Sequence, residues 1–399
     1  MSSIRITDAR IVDWRGVVAE RTDVHIENGV IAAIGGSAEA DTVIDGDGAT
    51  VCPGLMNAHV HICFDGTADP EPAFLSGTDV ETALRALPRL TETLAHGVTT
   101  VRDLGGKETV TITLARLVDQ GVVRGPRIVP AGRVVTMTGG HGHWMGIEVD
   151  GADEARKATR RMIRAGARVI KVMATAGMMT AGQRAGAPQL TTAEMRACVE
   201  EAHKAGLKVA AHVESREGGA NAIDAGVDSI EHGHGLDEEL LVAMRDAGIA
   251  LVPTIACDRV IVRHGREAGI PRFIVDDCAR LAPSLEFALA AAIRLGVRIA
   301  AGNDGGAPMT HPGDLVDELA VYVEMGMTPH QALTSATVHT AELFGLSDVG
   351  EVETGRRADL LVIDGDPLLS VDALRRPRIV IAAGEVVRGD RDTTEPRAS

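Results

Sequence analysis

His59-Val60-His61 follows directly on the apolar run Val51-Cys52-Pro53-Gly54-Leu55-Met56. Further along, Lys171, His212, His232 and Asp304 lie in, at the end of, or just beyond separate short strand-like segments. Side chains alternate along a strand, so histidines at i and i+2 point to one face. Imidazole and carboxylate are ligands that zinc and other borderline divalent cations accept. The pattern points to metal-assisted hydrolysis. Each residue also has a plainer reading. A single histidine is commonly a hydrogen-bonded structural group, and Asp304, within Gly302-Asn303-Asp304-Gly305-Gly306, suits an Asx turn. Lys171 is the odd member, because Arg168-Val169-Ile170-Lys171-Val172-Met173 contains no carboxylate. A buried ammonium without a partner is expensive. Either a distant acid pairs with Lys171, or the group is not an ammonium.

These residues need elements that bring them together. Between about 55 and 345, strand and helix signals alternate. Candidate strands are Leu55–His61, Val98–Asp103, Arg127–Ala131, Val169–Met173, Lys208–His212, Ser229–His232, Ala250–Thr254 and Arg298–Gly302. Thr191-Thr192-Ala193-Glu194 is a capping box that opens a helix over Thr191–Ala205, and Pro283–Leu295 reads as another helix. Eight strands alternating with helices predict an α/β fold, a (β/α)8 TIM barrel whose chemistry sits at the C-terminal strand ends. The barrel converges His59, His61, Lys171, His212, His232 and Asp304, from five separate segments, on one mouth. The outer segments differ. Ile4-Arg5-Ile6, Asp23-Val24-His25-Ile26 and Val30–Ile34 alternate around Glu27-Asn28-Gly29, and Asp359–Gly365 and Arg378–Val387 look alike. They predict a small β-sandwich built from both termini. The expected division is 1–54 for its first part, 55–348 for the barrel, and 349–399 for its second part and a polar, frayed tail.

The formal net charge of −16, from 40 basic and 56 acidic residues, argues against a phosphate-backbone ligand. Hydrophobic residues are 45% of the chain but aromatics only 2%, so the core must be built from Ala, Val, Leu and Ile. The five cysteines, at 52, 63, 198, 257 and 278, form no CxxC pair, which fits a reducing compartment. The start of the chain has no signal-like apolar segment, and no apolar run is long enough to span a bilayer. A soluble, cytoplasmic protein without nucleic-acid or membrane partners is expected.

The chain resembles the amidohydrolase superfamily. The matching segments are Pro53–His61, the buried Lys171, Ala211-His212, Glu231-His232-Gly233-His234, Gly302-Asn303-Asp304 and Arg357–Val362. Within that superfamily it is most similar to the binuclear branch with a carboxylated lysine, which includes prolidase-like, Xaa-dipeptidase-like and imidazolonepropionase-related enzymes. The resemblance implies two divalent cations, zinc by default with manganese or cobalt as substitutes. One would be held by His59, His61, the Lys171 carbamate and Asp304, the other by the same carbamate with His212 and His232. It further implies a bridging hydroxide as nucleophile, with Asp304 shuttling the proton to the leaving nitrogen. The substrate would be a small molecule with an amide bond, such as an N-acyl amino acid or dipeptide. A lactone, carbamate or organophosphate ester would be the alternative. A homo-oligomer is also expected.

For the substrate side, the loop Thr136–Gly146 gathers His141, His143 and Trp144 among glycines that permit close backbone approach. The resemblance implies that His141 lies near the substrate carbonyl or carboxylate. His143, Trp144 and Cys257 are candidate substrate contacts. Packed-loop or buried-thiol roles are their alternatives, and the roles of His234, Met178 and Met179 stay open. Val252–Asp258 departs from the dipeptidase pattern in lacking a tyrosine, since the single tyrosine of the chain is Tyr322.

Overall fold

The computed structural model describes residues 3–389 and 394–396. No helix among them is long and apolar enough to cross a membrane. Five strands open the chain: β1 (Ile4–Asp13), β2 (Gly16–Glu27), β3 (Val30–Ile34), β4 (Thr42–Asp45) and β5 (Thr50–Pro53). The β2–β3 turn works because Asn28 and Gly29 both take positive φ, 53° and 83°, as a tight hairpin of matching twist requires.

A single residue, Gly54, separates β5 from the first barrel strand, β6 (Leu55–Val60). A Cβ at Gly54 would meet the Thr99 side chain at 2.3 Å, so only glycine fits this crossing. Next come β7 (Val98–Asp103), β8 (Arg127–Pro130), β9 (Val134–Met137), β10 (Gly146–Val149), β11 (Val169–Met173), β12 (Lys208–Val213), β13 (Ser229–His232) and β14 (Ala250–Val252). Strands β6-β7-β8 form one parallel group and β9-β11-β12-β13-β14 another, with β10 added outside β9. The backbone N–H of Arg168 donates to the Pro130 carbonyl at 2.8 Å and links the two groups. On the other side the ring closes through residues 298–302. This eighth segment is not a regular strand. It makes one bridge, Ile299 to Leu251, and Ala58 N donates to Ala301 O at 2.7 Å. Its Ala300-Ala301-Gly302 sequence lacks the branched side chains that favour a pleated strand. The whole is a TIM barrel.

Helices cover the barrel. The helix Thr192–Lys204 starts at the capping box: Thr191 Oγ1 accepts from Glu194 N, and the Glu194 carboxylate accepts from Thr191 N. The helix expected to begin at Pro283 begins instead at Arg272 and runs through the proline to Leu295. Its buried face, with Ile274, Val275 and Cys278 before Pro283 and Leu285 and Leu289 after it, is continuous. Tertiary packing of that face outweighs the one backbone hydrogen bond that proline removes.

The chain returns through β15 (Leu360–Ile363), β16 (Ile379–Ala382), β17 (Glu385–Arg388) and β18 (Thr394–Pro396). They join β1–β5 in a nine-stranded sheet of order β17-β16-β15-β5-β1-β2-β3, with β4 on β1 and β18 on β4. Both termini therefore build one sheet domain around a cluster that includes Ile6, Ile11, Ile26, Ile44, Leu360 and Ile381. The polar composition predicts a tail frayed from Gly389 onward, yet Thr394–Pro396 pair antiparallel with β4. Residues 390–393 and 397–399 of that tail lie outside the described residues.

Candidate active site

The C-terminal strand ends deliver imidazoles to one point. His59 comes from β6 with His61 just beyond it, His212 from β12 and His232 from the end of β13. Ring centroids lie 5.3 Å apart for His59–His61, 5.0 Å for His59–His232 and 4.7 Å for His212–His232. Asp304, after the eighth segment, puts Oδ1 3.5 Å from Nε2 of both His59 and His61. One ligand atom from each of these three residues falls within 4.8 Å of the other two. Lys171 of β11 lines the same cavity.

Three of these four rings are held by a second nitrogen. His61 Nδ1 donates to the Gly105 carbonyl at 2.9 Å, and His232 Nδ1 lies 2.7 Å from Thr254 Oγ1. His59 Nδ1 donates to Glu231 Oε2 at 2.9 Å. Glu231 is in turn fixed by Arg102 Nη2 at 2.8 Å and Ser229 Oγ at 2.5 Å. Arg102 also donates to Ala58 O and Ser229 Oγ, so the strand carrying His59 is tied to β7 and β13 by one buried ion pair. This arrangement leaves Nε2 of His59 and His61 facing Asp304. It is the support that metal-binding histidines require.

Three buried atoms at the centre have no hydrogen-bond partner among the described residues: Lys171 Nζ, His212 Nε2 and Asp304 Oδ1. Unsatisfied buried polar atoms are costly and uncommon. Their convergence in a cavity rimmed by histidines is the arrangement expected of a site that takes charged ligands. The electrostatics agree. Burial holds His59, His212 and His232 well below the ordinary imidazole range and His61 at about 4, with Lys171 adding to the effect, so all four are neutral and able to ligate. Burial pushes Asp304 up to about 7, restrained by Lys171, and pulls Lys171 down to about 8, opposed by Glu231 and Asp304. The backbone is strained at the same place. His232, Thr254 and Asp304 adopt φ of 66°, 53° and 55° at successive strand ends. Non-glycine residues adopt such angles rarely, and they cluster at functional sites.

On the substrate side, His141 is buried with Nδ1 2.8 Å from Thr180 Oγ1, and its ring lies 4.5 Å from that of His212. Gly177 packs close to the same ring, where a Cβ would come within 2.4 Å of the imidazole. Trp144 lines the cavity against Phe64 and Phe74, at 5.3 and 4.8 Å. Cys257, Met178 and Met179 also line it. The structure does not bring His143 there. That residue is exposed in the short helical turn His143–Met145, with Nδ1 3.2 Å from its own loop's Gly140 carbonyl. His234 is buried behind the wall and bonded to Asp258 at 2.8 Å.

Sequence reasoning did not single out Arg102, Glu231, Thr180, Glu214 or Asp258. Glu231 carried one signal, an acid beside His232 at the end of a strand. The partners of Arg102 and Thr180 are set only by folding.

The sequence model of the amidohydrolase family matches residues 50–387. Ochratoxinase of Aspergillus niger is 31% identical over 360 residues, covering 82% of this chain and 73% of that protein. Among solved structures, a Xaa-Pro dipeptidase with bound methionine in its active site superimposes with a TM-score of 0.89 at 32% identity, over 97% of this chain and 100% of the other. A prolidase complexed with N-methylphosphonate-L-proline superimposes with a TM-score of 0.90 at 29% identity, again over 97% and 100%. The chain therefore belongs to the amidohydrolase family and is a hydrolase of carbon–nitrogen bonds.

Proposed function

We propose that the chain is a metal-dependent hydrolase that cleaves the amide bond of a small molecule such as an N-acyl amino acid or a dipeptide. The observation that carries this reading is the meeting of Lys171 Nζ, His212 Nε2 and Asp304 Oδ1, all buried and unpartnered, in the cavity lined by His59, His61 and His232. Those donors fit two divalent cations, zinc by default. His59, His61 and Asp304 would hold one and His212 and His232 the other, with Lys171, carboxylated on Nζ, holding both. Burial that lowers Lys171 to about 8 supports the carbamate, because only the neutral amine adds to CO2, losing a proton as the N–C bond forms. Cations bound there would polarise the substrate carbonyl and lower the pKa of water from 15.7 to roughly 7.

The remaining work falls to side chains. Asp304 accepts the proton of the attacking water on its carboxylate and passes it to the leaving nitrogen, so that the C–O bond forms as the C–N bond breaks. His141 is neutral, because burial, aided by Lys171, holds it at about 3. With the Thr180 hydroxyl on Nδ1, its Nε2–H is a donor for a substrate oxygen. Trp144, Phe64 and the methionines exclude bulk water from the cavity, which strengthens these polar contacts.

The test is removal and return of metal. Chelated protein is expected to lose turnover of a panel of dipeptides and N-acyl amino acids, and zinc, manganese or cobalt with bicarbonate to restore it. Full turnover by verified metal-free protein would overturn the reading.

A further inference from the structure

Beside the histidine cluster the cavity wall carries a carboxylate that the mechanism above does not use. Glu214 follows β12, is 5% exposed and lines the cavity, and its Oε2 has no hydrogen-bond partner. Its Oε1 lies 3.5 Å from His212 Nε2. The second acid of this wall, Asp258, already has a partner in His234 at 2.8 Å. The Met178 backbone and His234 act on the Glu214 carboxyl, yet its Oε2 is left without a hydrogen bond among the described residues, and a buried oxygen so left is costly. Its natural complement is a donor carried by the ligand. Among the described residues no arginine lines the cavity, and Lys171 is its one lysine. The neighbouring wall is apolar, with Met178, Ile261, Ile274 and Cys278.

The position of Glu214 limits what that donor can be. The scissile carbonyl must reach the histidine cluster, and Glu214 stands beside one of those histidines. An α-ammonium is two bonds from its own carbonyl carbon, about 2.5 Å. A cation on a long side chain would be carried past this point. A free amino group next to the scissile carbonyl would fall within reach of Glu214, and the apolar wall would take the side chain on the same carbon.

We propose that Glu214 binds the α-ammonium of the substrate, so that the enzyme selects amides with a free amine beside the scissile carbonyl over the same compounds with that nitrogen acylated. This rests on reading the site as an amide hydrolase, and it favours dipeptides over N-acyl amino acids.

The experiment compares leucyl-leucine with N-acetyl-leucyl-leucine on the metal-loaded enzyme, wild type and Glu214→Gln, by kcat/KM and by calorimetric binding. Wild type is expected to prefer the free amine on the order of ten- to hundredfold, and Glu214→Gln to erase most of that ratio. Glu214→Asp, which keeps the carboxyl group but draws it back by one methylene, should retain part of it. Equal handling of the two compounds by wild type overturns the proposal. So does an equal loss for both in Glu214→Gln, since a residue that only positioned His212 would lower both together and lower metal content with them. Should wild type cleave neither compound, the amide-hydrolase reading fails by itself. The affinities then decide for Glu214: tighter binding of the free amine, lost in Glu214→Gln, sustains the subsite, and equal binding removes it. If Glu214→Gln does not fold, the wild-type ratio and Glu214→Asp decide the question in the same way.

Discussion

The terminal sheet and the barrel mouth treat a buried carboxylate in opposite ways. In the sheet, Asp13 is fully buried and fully partnered: Arg15 donates to it from N, Nε and Nη2, and Val352 N donates at 3.3 Å. At the mouth, Asp304 keeps Oδ1 without a hydrogen bond and holds a left-handed backbone conformation. Asp13 completes a structure, and Asp304 leaves one incomplete. An internal acid with all its contacts made contributes to folding. One held ready without a hydrogen bond costs stability, and folds keep such groups preferentially at functional sites.

The sharpest way to break this contrast is Asp304→Asn. It should lower turnover by on the order of 10³-fold or more, while thermal stability of metal-free protein holds or rises, because a poorly satisfied charge is removed. A large fall in melting temperature would place Asp304 with the structural acids. Glu231→Gln tests the link between the two kinds of acid. It releases the His59 ring and should weaken metal binding roughly 10- to 100-fold, read by competition with a chelator. It also leaves Arg102 without its counter-charge, and denaturant unfolding should register a loss of roughly 3 kcal/mol. Asp13→Ala is the converse case. It should cost about 1–3 kcal/mol in unfolding and leave kcat/KM per folded molecule unchanged.

The smallest effect is a pH dependence. Burial raises Asp304 to about 7, so below that value a proton would compete with the proposed cation for the carboxylate. The neutral histidines add nothing in this range, His61 titrating only near 4. Lys171, lowered to about 8, also gains its proton in this range, so zinc uptake by stripped protein should weaken between about pH 8 and about pH 6, and Asp304→Asn should remove the lower part of that change and leave the part that belongs to Lys171.

Much of this was legible in the sequence. Val98–Asp103, Val169–Met173 and Ser229–His232 form as their β-branched and apolar runs foretell. The ligand-type residues could be grouped because each sits at a strand end, and a barrel has one mouth. The rest failed for physical reasons. The eighth segment is too rich in alanine and glycine to announce its irregular geometry. β9 and β10 are short strands in a glycine-rich stretch whose pairing is tertiary. The supports were hidden by separation along the chain, since Arg102 and Glu231 lie 129 residues apart. His143 illustrates the reverse: it shares a loop with His141, yet the turn that buries one imidazole sends the other to solvent.

The join at Gly54 has a wider consequence. β5 belongs to the terminal sheet, β6 bears His59, and one residue without a side chain couples them. Since β5 is clamped between β1 and β15, the register of the first histidine is anchored from outside the barrel. Sequence drift in β1 and β15, more than forty residues before and some three hundred after His59, is thereby disciplined by the site itself, although none of those side chains lines the cavity.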